Sequence, residues 1–322
     1  FNSLLTATTA VTNTALGKNA MRLTTTGSDN VAVGHEALDK NTTGGNNTAV
    51  GKSALIANTT ASFNTAVGDK AMQTNTTGTN NTAIGHQALN KNTTGGLNTG
   101  LGLNALYNNT TGTVNTAVGH SALKANNTGG YNVAIGHESM LANTTGITNT
   151  ALGNNALRGN TTASQNVGIG TNALYANTTG SDNVAVGHNA LDANTTGTLN
   201  TAVGKDALGA NTTASSNTAV GREAMRDNTT GTNNISMGVS ALSTNTTASS
   251  NTALGTAALR RNTTGPSNTA VGHQAMDSNT TGFENVASGY RALYNNTSGE
   301  TNTAIGTEAL RDNQTADNNT AV

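Results

Sequence analysis

Six histidines, His35, His86, His120, His137, His188 and His273, are the side chains in this sequence best suited to metal binding or to titration near neutral pH. Two of them, His120 and His137, lie seventeen residues apart. A second candidate chemistry is glycan attachment at Asn-x-Thr acceptors. These recur at Asn41, Asn58, Asn75, Asn92, Asn109, Asn126, Asn143, Asn160, Asn177, Asn194, Asn211, Asn228, Asn245, Asn262, Asn279, Asn296 and Asn313. A third is the pair of threonines that follows most of these asparagines, because threonine arrays on a flat β-surface can bind ice. No serine, histidine and acid fall into a nucleophile arrangement. Spots such as Gly44-Gly45 lack the strand–GxGxxG–helix context of a phosphate loop. The calcium-binding nonapeptide is absent too. The chain is read as non-enzymatic, with no cofactor and no metal.

All three candidates share one spacing, and that spacing is the main fact about the chain. Asn13, Asn30, Asn47, Asn64 and Asn81 are seventeen apart, and the series runs without insertion or deletion to Asn319. Residues 13–318 are eighteen units with the consensus N-T-A-V-G-x-x-A-L-x-x-N-T-T-G-x-x, numbered here as positions 1 to 17. Residues 1–12 match positions 6–17 of a partial unit, and 319–322 open a further one. Position 5 is Gly throughout the eighteen units, position 9 is only Leu or Met, and position 12 is Asn except at Thr24. A fixed period of this length marks a solenoid or array rather than separate globular domains.

Composition narrows the function classes. The 322 residues include no cysteine, no tryptophan and one proline, with 10% charged residues and a formal net charge of −1. That balance gives no basic surface for nucleic acid. No apolar run approaches the ~18 residues that a spanning helix needs. Every Lys, Arg, Asp and Glu occupies position 6, 7, 10, 11, 16 or 17. Columns that never carry charge are columns removed from water, since an unpaired buried charge is costly. Each unit is therefore one coil, and coils stack in register about 4.8 Å apart into a rod-like parallel β-solenoid.

Within a coil, positions 1–5 read as a short strand. Positions 2 and 4 carry mostly Thr, Val, Leu or Ile on one face, and positions 3 and 5 carry Ala and Gly on the other. Positions 6–11, as in HEALDK, are good helix formers, which predicts a single helical turn or else a second short strand or bend. Positions 12–15 turn the chain back. Alanine at position 15, as at Ala61, Ala163, Ala214, Ala248 and Ala316, speaks against a left-handed glycine there.

So thin a coil is expected to bury its Ala/Gly face against an identical chain, with Ala117, Gly119, Ala219 and Gly221 in the contact and three chains in the assembly. The position-12 asparagines admit two readings, glycan acceptors or a ladder that satisfies backbone groups at a corner. The histidines all fall at position 6, which also holds Lys18, Asp69, Leu103 and Tyr290, so that column is read as solvent-facing. Neither end carries a polar cap. The array is expected to continue, through further sequence or by Val322 docking head to tail on Phe1 of the next chain.

The N-T-A-V-G and N-V-A-V-G segments resemble the S-V-A-I-G core of the head repeats of trimeric autotransporter adhesins. The full unit is similar to the NTAIGxxALxxNTTG repeat stalks of bacterial and phage tail-fibre-like proteins, over essentially the whole chain. The period is longer than in the adhesin heads, and Ala-Leu is consecutive where they alternate. The resemblance implies an extracellular, fibrous, non-enzymatic role, as a stalk or filament subunit. A surface adhesin, or an ice- or carbohydrate-binding module on the same scaffold, is the alternative.

Overall fold

A computed structural model describes residues 3–322, so Phe1 and with it half of the expected head-to-tail junction lie outside the described residues. The described chain forms two compact units, residues 3–163 and 164–322. The first contains nine three-residue strands, from β1 (Thr14–Leu16) and β2 (Val31–Val33) to β9 (Thr150–Leu152). The second contains ten, from β10 (Val167–Ile169) to β19 (Thr320–Ala321). Within each unit every strand covers positions 2–4, except β19 at positions 2–3, and pairs in parallel with its neighbour one coil away, as in Thr14↔Val31, Ala15↔Ala32 and Leu16↔Val33. No slip of register occurs in either unit. The β-solenoid of seventeen-residue coils is therefore present as the sequence predicts.

The expected helical turn is not. Positions 6–11 form two tight turns, and no helix occurs among the described residues. In one coil, Ala37 N–H donates to Gly34 O at 3.3 Å and Asn41 N–H to Leu38 O at 3.3 Å, closing turns over positions 5–8 and 9–12. The third residue of the first turn, Glu36, has φ +58°, which is the left-handed residue that a type II turn requires. Leu38, at position 9, has φ +54°, and its N–H reaches sideways to Ala54 O in the next coil at 3.0 Å. Alternation of right- and left-handed residues cannot propagate a helix. A left-handed Leu costs roughly 1–2 kcal/mol, and here its complete burial and the sideways hydrogen bond offset that cost.

Backbone groups are satisfied between coils. Positions 5, 7 and 17 donate to the preceding coil, as in Gly34 to Leu16 O, Glu36 to Lys18 O and Asn46 to Ser28 O. Positions 2, 9, 11 and 13 donate to the following one, as in Val31 to Asn47 O and Thr42 to Thr59 O. The core of each unit is narrow. Ala at positions 3 and 8 and Leu or Met at position 9 are fully buried in the interior coils, together with Asn at positions 1 and 12. The position-15 glycines do not take positive φ, in line with the alanines found there.

Gly at position 5 is required twice over. Its φ lies between +119° and +141° in all eighteen units. A Cβ at Gly170 would also stand 2.6 Å from Gly187 O, backbone that cannot give way. Gly170→Val is expected to destabilise its coil by at least about 1–3 kcal/mol and lower the melting temperature. A melting curve that superimposes on that of the parent protein would show the glycine to be dispensable.

Candidate interaction surface

Strand alternation divides the coil into an inside and an outside, and the structure assigns them opposite to expectation. Ala117 and Ala219 have no exposed surface in a single chain, and Gly119 and Gly221 have their Cβ space filled by the carbonyls of Gly136 and Gly238 at 2.5 Å. Ala117 and Ala219 line the coil itself and cannot be an inter-chain contact, whereas Gly119 and Gly221 are half-buried and have no room for a side chain. The reason is cross-section: a seventeen-residue coil already filled by Leu at position 9 and two asparagine amides has room only for Ala at the strand. The β-branched residues at positions 2 and 4, such as Thr116, Val118, Thr218 and Val220, face outward and are half-buried. Several apolar ones are well exposed, including Leu101, Ile135, Leu152 and Met237 at 38–47%.

The position-12 asparagines are not glycan acceptors in this fold. From Asn41 to Asn296 their side chains are fully buried, and only Asn313, in the last coil, is partly exposed. The nitrogen that would carry a sugar uses both its hydrogens. Asn109 Nδ2 donates to Asn92 Oδ1 at 2.8 Å and to Gly112 O at 3.0 Å, and Asn109 Oδ1 accepts from Asn126 Nδ2 at 2.8 Å. The asparagines of position 1 form a second ladder, in which Asn47 N–H donates to Asn30 Oδ1 at 2.9 Å. The two ladders meet. Asn30 Nδ2 and Asn41 Nδ2 both donate, at 2.9 Å, to the position-15 carbonyl of Gly44, so the two ends of the coil are tied to one oxygen. Sequence reasoning left the ladder as one of two readings of position 12. The signal for it was an uncharged column of Asn at both positions 1 and 12, with only Gly or Ala at 15.

The threonine pair separates as well. At position 13 the hydroxyl donates to the carbonyl of the same position one coil on, as from Thr42 to Thr59 O at 3.0 Å. At position 14, Thr26, Thr43 and Thr60 are exposed, as is Ser298.

The histidines are all exposed, as the variety of their column predicts. His86 Nε2 lies 3.4 Å from the Asp69 carboxylate, and His273 stacks on Tyr290 with centroids 5.7 Å apart. Charged side chains pair from coil to coil: Arg22 with Asp39 at 3.0 Å, Arg158 with Glu138 at 2.8 Å and Arg260 with Asp277 at 2.9 Å. The Arg158 hydrogen bond holds the Glu138 carboxyl below the usual carboxylate range, against the opposing effect of its burial. Asp192 is pushed the other way by desolvation. A shallow groove lined by Lys91, Asn108, Thr110, Ala125, Asn127 and Thr144 contains one titratable group, Lys91.

No known protein-family model matches the chain, and no curated protein matches it either. Among the described residues no helix is long and apolar enough to cross a membrane.

The ladders make opposite predictions at two positions. Thr24 interrupts the position-12 column, and its buried hydroxyl has no partner. Thr24→Asn would offer Nδ2 to the Gly27 carbonyl and Oδ1 to Asn41, and should stabilise by about 0.5–1.5 kcal/mol for each bond formed. The isosteric Asn109→Asp removes two donors and leaves a buried carboxylate facing oxygens, and should destabilise by at least about 1–3 kcal/mol at neutral pH. Chemical denaturation of both variants checks the pair. Two changes of the same sign would contradict the ladder account.

Proposed function

We propose that the chain is a structural subunit of an extracellular fibre, non-enzymatic, in which identical chains lie side by side through their strand faces. One observation carries this reading. Positions 2 and 4 are half-buried or exposed in a single chain, yet no unit places a charge there. All charges go instead to six other columns, so charge is tolerated on the surface but excluded from this face. A surface that keeps Thr, Val, Leu and Ile in solvent contact over successive coils is suited to cover by another protein surface. The natural partner is an identical chain, because its period matches, and three such chains make a heterologous contact that closes into a ring. The coil-to-coil hydrogen bonding supports a load-resisting rather than a catalytic role.

A second reading, an adhesive or ice-binding module, draws on the position-14 column. Its members are Thr in every unit but that of Ser298, and they face solvent. Thermal hysteresis in a purified sample is its direct test.

For the fibre reading, Val118→Glu together with Val220→Glu places charge on the outward face without entering the core. The parent protein is expected to be multimeric by native mass spectrometry, with three chains the expected number. The double variant should be monomeric with its melting temperature little changed. A monomeric parent protein would end this proposal.

A further inference from the structure

Among the described residues, one group of histidine and carboxylate side chains brings three metal-ligating atoms together. His120, His137 and Glu138 each offer an atom within 4.8 Å of the other two. The repeat places them. His120 and His137 are both position 6 of successive coils, and their rings stack with centroids 5.1 Å apart and planes 12° from parallel. Glu138 follows His137 at position 7, where its left-handed φ of +52° turns the chain and its N–H donates to the His120 carbonyl at 2.9 Å. The backbone that carries all three residues is thus tied together by an inter-coil hydrogen bond. Arg158 Nε holds the Glu138 carboxylate at 2.8 Å.

The other histidine–acid contacts lack a second imidazole. His35 meets Glu36 at 3.6 Å and His86 meets Asp69 at 3.4 Å. Two imidazoles and one carboxylate are the donor set of zinc and its neighbours in the first transition row, whereas magnesium and calcium prefer oxygen alone. In a tetrahedral zinc site, donors lie about 3.3 Å apart, given metal–ligand distances near 2.0–2.2 Å. The three atoms must therefore close by about 1.5 Å at most. Both imidazoles are exposed and can rotate by that amount without moving the coil.

We propose that His120, His137 and Glu138 form a surface site for a borderline divalent cation such as zinc, with water in the remaining coordination position. This does not rest on the fibre reading. Either can fail alone.

The test is titration of chelator-treated protein with zinc chloride, followed by calorimetry and by NMR of the histidine rings. One equivalent should bind per chain, and two of the six histidine ring signals should move. His120→Ala and His137→Ala should each weaken binding by at least about 10-fold, and Glu138→Gln by about 10-fold. His188→Ala should change nothing. Position 6 already accepts Lys18, Asp69 and Leu103, so the histidine variants should keep the parent melting temperature, which is measured alongside for every variant. Absence of saturable zinc binding would overturn the site. So would a His120→Ala/His137→Ala double variant that binds as tightly as the parent. Undiminished binding in Glu138→Gln would remove the carboxylate from the site and with it the proposal as stated.

Discussion

Nearly every coil is closed by one carbonyl oxygen; the exceptions are the coil of Thr24, which has no asparagine at position 12, and that of Asn251, whose Nδ2 has no partner. The position-15 oxygen receives an amide hydrogen from the asparagine that opens the coil and another from the asparagine eleven positions later, as Gly44 O does from Asn30 and Asn41. A carbonyl has two lone pairs, and both are used. The remaining amide atoms then look up and down the stack, so the group that fastens a coil also sets its register on the neighbours. An asparagine buried without these partners would cost more than its bonds contribute. The two ladders therefore have to be complete, or nearly so, for the interior to be viable. Small apolar residues fill what space the amides leave.

The backbone follows from that narrow interior. A loop of seventeen residues must reverse direction several times, and right-handed conformations alone do not provide the corners. Left-handed residues recur at positions 7, 9 and 17, and glycine at position 5 lies at a φ that L-residues rarely adopt. Three of these, positions 5, 7 and 17, aim their N–H groups at the coil before, and position 9 aims at the coil after. Local strain and lateral hydrogen bonding are thus the same feature seen from two sides. A coil on its own would keep the strain and lose the bonds.

Much of this was legible in the sequence. The period, the frame, a short strand within positions 1–5 and the outward charge columns all follow from counting residues. Three things were not. Strand alternation distinguishes two faces but does not say which is inside. Val118 reads as core and Ala117 as contact surface until the space taken by Leu123 and the asparagines is known. Helix-forming residues at positions 6–11 hide two left-handed ones, because neither Glu36 nor Leu38 belongs to a type that announces positive φ. Propensity is a weak prior, and the lateral hydrogen bonds override it. The Asn-x-Thr triplets pointed to chemistry on nitrogens whose hydrogens are already committed. The uncharged column around them was the better signal.

Partners in every ladder are seventeen residues apart, or nearly so, and this shapes how the gene can change. Loss or gain of one whole repeat brings like residues against like: an Asn still meets an Asn, and a Gly still meets a Gly carbonyl. Loss of a single residue shifts every later column, setting charged side chains where amides must stack. The fold thus tolerates changes in copy number and resists changes in phase. Unequal recombination between repeats, which adds or removes whole repeats, is therefore a route by which such a chain can alter its length without being redesigned.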